Sequence, residues 1–206
     1  MKLLHGVEDV LYRGFLFCYG MEDSGHGESD AIIPHGYGLE KSGELLAATA
    51  EIFDRALMEA ALHPKAALCI ISTNHSEKER AKEDTQKLTL IENENLPNPV
   101  IRIQRGAENT IEEVRNILKA LPPACKCLTI ICDTAHMRSV RIVWRHFCPN
   151  HSLRFVSISA TWHDVSCSFL MRSLLRWLFT NVTRHLLFRF RGVKQVGKMS
   201  QRFARF

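Results

Sequence analysis

A chain of 206 residues that is 46% hydrophobic and 24% charged can bury a full core, which argues against a disordered protein and favours one domain with appendages over two. The net charge of +5 conceals an asymmetry: no Asp or Glu follows Asp164 while nine Lys and Arg do, so an acidic domain precedes a basic tail. Seven cysteines are an odd number and do not read as a disulfide framework, so free thiols in a reducing compartment are the simpler reading.

At the N-terminus, Met1 to Leu4 would begin an export signal, but Glu8, Asp9 and Arg13 interrupt the apolar stretch, and a cytoplasmic location is expected. Residues 1–29 hold one apolar patch, Val10 to Tyr19, and then a loop rich in glycine and charge, read together as a cover segment and loop. Ala31 to His35 is the first strand-like run. From about Gly43 to Leu62, Leu45, Leu46, Ile52, Phe53, Ala56, Leu57 and Ala60 recur at three- and four-residue spacing, which predicts a helix that Pro64 terminates. Ala67 to Ser72 is the second run, and Glu77 to Glu92 reads as a charged, weakly amphipathic helix on the surface.

A third run, Val100 to Ile103, precedes a helix start at Asn109-Thr110. Thr110 with Glu113 reads as a capping box, and Ile111, Val114, Ile117, Leu118 and Leu121 give that helix one buried face. The fourth run, Leu128 to Cys132, is apolar and β-branched, as a strand buried on both faces must be. Phe155 to Ser159 is the fifth. Strands alternating with helical patterns mean βαβ units, and the expected fold is a three-layer, Rossmann-like α/β domain with a mostly parallel sheet over residues 30–164.

Residues 165–206 read differently. From Phe169 to Leu186, apolar Leu170, Leu174, Leu175, Trp177, Leu178, Phe179, Val182 and Leu186 share one side of a helix, while Arg172, Arg176, Thr180 and Arg184 share the other. The arginines rule out an uninterrupted membrane span. A final helix packed on the sheet is preferred over a membrane-surface helix. The basic stretch from Arg189 to Phe206 is interleaved with Phe190, Phe203 and Phe206, a composition that could contact anionic lipid or nucleic acid, with the membrane surface the expected partner of the two. A non-enzymatic peripheral protein acting through this tail is the competing functional class.

In a parallel sheet the carboxyl ends of all strands lie on one edge, so the residues just after each strand converge there. They are His35-Gly36-Tyr37-Gly38, then Thr73-Asn74-His75, then Gln104-Arg105 with Glu108-Asn109-Thr110, then Asp133-Thr134-Ala135-His136, and last Thr161-Trp162-His163-Asp164. Hydroxyls, amides, imidazoles and helix N-termini suit a phosphate, carboxylate or nucleotide-like ligand. Gly36-Tyr-Gly38 is not a full dinucleotide fingerprint, because Lys41 replaces the third glycine, and a plain turn is preferred there. Asn109 and Thr110 are helix caps before they are ligand donors. His136, delivered by a strand end to the mouth of a helix, is the strongest ligand-site candidate, and a Thr134/His136 pair could serve acid–base or phosphoryl chemistry. No nucleophile stands with a base in a recognisable arrangement. Cys125, Cys127, Cys148 and His151 could be assembled into a zinc set, but ordinary cysteine packing is preferred and no metal is expected.

These pieces carry a family resemblance. The Asn109-Thr110 helix start with its following glutamate, the strand, and then Thr134 and His136-Met137 entering a helix resemble the YdcF-like superfamily of SanA/ElyC/YdcF-type domains. Asp30 to Gly36 is similar to its first strand and glycine turn, Asp54-Arg55-Ala56 to its first-helix arginine, and Glu83 to its acidic residue after the second strand. The resemblance runs from about Asp30 to Ser159. It implies a small-molecule ligand of nucleotide or S-adenosylmethionine type held by Gly36, Asn74, Glu83, Asn109, Thr110, Thr134, His136 and Arg141, with a link to cell-envelope metabolism and no implied reaction. The chain departs from the family at Ser72 to His75, where relatives carry a glycine pair, at Glu113 in place of asparagine, and at Ser139 in place of an arginine. Arg141 is the residue that would substitute for that arginine, from one turn further along the helix.

Overall fold

Short apolar runs form strands here because they can be covered on both sides. The computed structural model describes residues 27–159 apart from 41, 73–75, 104–106 and 108, together with 10–11, 13–14, 182–183 and 186–187. Five strands, β1 (Ala31–Pro34), β2 (Ala67–Ile70), β3 (Val100–Arg102), β4 (Cys127–Asp133) and β5 (Ser152–Ile158), form one sheet in the order β3-β2-β1-β4-β5 with every neighbouring pair parallel. Helices α1 (Ala47–Leu62), α2 (Glu77–Glu94), α3 (Thr110–Ala120) and α4 (Met137–Phe147) make the crossovers. This is the expected α/β arrangement.

Alternation along the strands divides the core in two. Ala31 and Ile33 of β1 face Ile111, Val114 and Ile117 of α3 and Val140, Val143 and Trp144 of α4. Ile32 faces the other way, onto Ile52, Phe53 and Ala56 of α1 and Ile91 of α2. Pro34 lies in the central strand, where proline normally removes a ladder bond. It is tolerated because β1 pairs with β2 only through Ala31 and Ile32, so the missing N–H falls where that pairing has ended, and His35 N–H resumes on β4 by donating to Ile131 O at 2.7 Å.

Local chemistry sets several boundaries differently from the sequence expectation. Helix α1 begins at Ala47 instead of Gly43, because the intervening residues fold into a small antiparallel bridge between Leu39 and Leu45, with Gly38 (φ 91°) and Gly43 (φ 86°) in the left-handed region that suits glycine. Gln86 of α2 clamps this bridge, donating to Gly43 O at 2.8 Å and accepting from Leu45 N–H at 3.0 Å. Helix α2 is more than a surface helix: Glu83, Lys87 and Ile91 are buried along one side. The cap of α3 is Asn109, one residue before Thr110, so the expected Thr110/Glu113 box is replaced by an Asn109 side chain that accepts from Ile111 and Glu112 N–H, both at 3.1 Å.

The expected cover segment, amphipathic helix and basic tail lie outside the described residues, except for the few positions named above, of which Leu187 packs against the α3/α4 core. Among the described residues no helix is long and apolar enough to cross a membrane.

Candidate functional site

The strand order places the topological switch point between β1 and β4, because the chain winds outward to β2 and β3 on one side and to β5 on the other. At the carboxyl ends of those two strands a group of polar side chains meets. Tyr37, three residues past β1, donates its hydroxyl proton to Asp133 Oδ2 at the end of β4. His136 Nε2 lies 3.1 Å from Thr110 Oγ1, joining the start of α4 to the start of α3, and the Tyr37 and His136 rings stand 6.4 Å apart. The result is a line of side chains, Asp133, Tyr37, His136 and Thr110, drawn from three segments.

Asp133 is 1% exposed, and burial pushes its carboxyl up to about 7, against the lowering effect of hydrogen bonds from Ala135 and His136 N–H. Those bonds, at 2.8 and 3.2 Å to Oδ1, make Asp133 the cap of the turn that opens α4. The carboxyl is therefore surrounded by neutral donors and titrates near neutrality. Such a group is suited to holding or releasing a proton.

Behind this line lies a second, fully buried contact chain. Trp144 Nε1 donates to His35 Nε2 at 2.9 Å. An indole N–H can only donate, so His35 Nε2 accepts and the ring proton sits on Nδ1, which faces Glu113 Oε1 at 3.1 Å. That last contact is close but off hydrogen-bond alignment, and among the described residues neither atom has a hydrogen-bond partner. The chain ties β1, α3 and α4 together directly beneath the crevice. Trp144, 109 residues from His35 in sequence, carries no signal that would have marked it as a site neighbour.

Of the site residues expected from sequence, Thr110 and His136 are brought together, His35 lies in the buried chain with Trp144 and Glu113, and Asn74 lies outside the described residues. Gly36 and Asn109 stand beside the crevice but serve the fold: a Cβ on Gly36 would meet the Thr49 methyl at 2.8 Å, and Asn109 caps α3. Glu83, Thr134 and Arg141 point elsewhere. Glu83 pairs with Lys87 at 2.6 Å, and Lys87 also donates to Ile71 O at 2.5 Å, which pins α2 to the end of β2. The Thr134 hydroxyl donates to Ile158 O at 2.8 Å, so His136 pairs with Thr110 and not with Thr134. Arg141 lies 5.5 Å above the Phe155 ring, in the middle of β5, where burial and then Arg145 pull its pKa down.

Cys69, Cys132 and Cys148 are core residues, and Cys125 packs against them. Burial pushes the thiols of Cys69 up to about 12 and Cys148 up to about 11, and raises Cys125 and Cys132 as well, so thiolates are disfavoured at all four. The register between β4 and β5 sets Cys127 beside Ser152, which puts both halves of the considered zinc set at the amino edge of the sheet. Even so, among the described residues no three His, Cys, Asp or Glu side chains converge where a metal ion could be held. No family model matches this chain, and neither a curated protein nor a solved structure matches it.

Proposed function

We propose that this chain is a small-molecule-binding protein of the YdcF-like type, with a nucleotide- or S-adenosylmethionine-like ligand held in the crevice between β1 and β4. One observation carries the reading: the polar side chains that follow the two switch-point strands, Tyr37 and Asp133 to His136, meet each other and Thr110 at the position where open α/β sheets bind ligands. A place in cell-envelope metabolism follows from the sequence resemblance alone. A cytoplasmic location is supported by the free thiols at Cys69, Cys125, Cys127, Cys132 and Cys148.

The role assigned to His136 is contact with a polar group of the ligand. Its side chain makes no cap hydrogen bond to α4, which weakens the alternative that it merely closes the helix. Screening the full chain against nucleotides, sugar nucleotides and S-adenosylmethionine by thermal shift and native mass spectrometry should yield a binder. His136→Ala should then weaken that binder about ten- to a hundredfold, as expected for a lost hydrogen bond to a charged or strongly polar group, while the fold is retained. Unchanged affinity with a lowered melting temperature would make His136 a structural residue and remove it from the site.

A further inference from the structure

Charge is divided unequally between the two helical layers that cover the sheet. Helices α1 and α2, on one face, carry nine acidic side chains against five Lys or Arg, whereas α3 and α4, on the other, carry five Lys or Arg against two acids. Of those two acids, Glu113 turns inward to His35. Helix α4 has no acid at all, and its Arg138, Arg141 and Arg145 recur at three- and four-residue spacing, on the side away from the buried Val140, Val143 and Trp144. Arg145 is exposed, while Arg141 is half-buried over the Phe155 ring with its enclosed Nε bonded to nothing. Among the described residues no carboxylate pairs with either guanidinium. Arg115 of α3, also exposed, lies 5.2 Å above the Phe147 ring at the end of α4, which joins the outer sides of the two helices into one basic surface. Leu187 packs on the α3/α4 core, so the basic stretch that opens at Arg189 starts from this side of the sheet.

We propose that the outer face of α3 and α4, through Arg115, Arg141 and Arg145, docks this domain on an anionic lipid surface. Guanidinium groups without carboxylate partners keep their attraction for an external phosphate or carboxylate, because no internal pair has to be broken first. A molecule positive on one face and negative on the opposite one is also turned by the field of a charged surface, which holds α3 and α4 toward an anionic bilayer and α1 and α2 away from it. A bilayer fits this face better than nucleic acid does. The sequence that follows mixes its charges with Phe190, Phe203 and Phe206, and such side chains gain by entering the boundary between headgroups and acyl chains. The surface shares no residue with the line of Asp133, Tyr37, His136 and Thr110, so it stands independently of the crevice, and it gives Arg141 a role outside that crevice.

The test is co-sedimentation of the full chain with vesicles of phosphatidylcholine, alone or mixed with phosphatidylserine. Wild type should bind the mixed vesicles and not the neutral ones. Arg115→Gln/Arg145→Gln removes two charges from exposed positions of the proposed face and should weaken binding about ten- to thirtyfold, at about fivefold per charge. Should that pair disturb the fold, as read by circular dichroism, Arg145→Gln alone should weaken binding about fivefold. Lys78→Gln/Lys82→Gln makes the same change in net charge at exposed positions of α2 and should leave binding within about twofold of wild type. Equal weakening by the two pairs would overturn the inference, because net charge and not this face would then govern the attraction. Binding that neither pair changes would overturn it as well and assign the attraction to the basic tail alone. Absence of binding to the mixed vesicles would also sink it, and duplex DNA held more tightly than those vesicles would make this a nucleic-acid surface instead.

Discussion

The two edges of the sheet bury carboxylates in opposite ways. At the amino edge Glu59, near the end of α1 and 1% exposed, receives both arms of Arg154 from β5, at 2.5 and 3.1 Å, and one arm of Arg55 at 3.0 Å. At the carboxyl edge Asp133 is equally buried, and among the described residues it receives a phenol and two backbone amides and no cation. Full charges compensate the first carboxylate and dipoles the second. A carboxylate matched by guanidinium groups acts as a fixed latch, whereas Asp133, matched by neutral donors and pushed up by burial, is left with a proton it can gain or lose near neutral pH. The amino edge carries an ionic latch, and the carboxyl edge a carboxyl held by neutral donors.

The largest effect that could break this contrast is the pH dependence of stability. Asp133 titrates at about 7 in the folded protein against 3.8 for the free side chain, so the folded state binds the extra proton between those values. A raised folded pKa contributes stability that is fully present below about pH 4 and is lost as pH rises through about 7. The span corresponds to roughly 4 kcal/mol as an upper limit. Chemical denaturation of wild type and Asp133→Asn between pH 4 and 8 should show the wild type losing stability relative to the variant as pH rises. Parallel curves for the two proteins would mean that Asp133 is ionised throughout and that the two edges do not differ in this respect.

A second, smaller effect concerns the amino edge. Glu59→Ala leaves Arg154 and Arg55 without their common acceptor, and because both guanidinium groups still reach water the expected loss is about 2–3 kcal/mol, below that of a fully buried pair. Ligand affinity in the folded fraction should not change, since this latch lies at the far end of the sheet. A loss of affinity on a par with the loss in His136→Ala would show that the edges are coupled.

Much of this contrast lay beyond the reach of sequence, for identifiable reasons. Strand positions were legible because β-branched apolar runs have few alternatives, although β5 begins at Ser152, three residues before the expected Phe155, since an edge strand admits polar residues such as Arg154. The carboxyl-edge residues were legible as a set because topology alone brings strand ends together. Their pairings were not. Glu83 and Lys87 have the i,i+4 spacing of a solvated surface pair, and nothing local reveals that the lysine runs beneath β2 to Ile71 O. Trp144 meets His35 across 109 residues, and Arg141 is aimed by its packing on Phe155, which the helical spacing that suggested its reach does not contain.

The smallest expected effect lies in the helix cap that sequence placed one residue late. Asn109 and Thr110 are both good capping types, so local preference could not choose between them; the fold chose Asn109, and with the helix registered from there Glu113 turns inward to His35 while Thr110 faces His136. Asn109→Ala removes the acceptor for Ile111 and Glu112 N–H and should cost about 1 kcal/mol, read as a small fall in melting temperature. Asn109→Ser should restore most of that loss, because a serine hydroxyl caps almost as well. Equal loss of stability in both variants would show that Asn109 acts through contacts other than the cap.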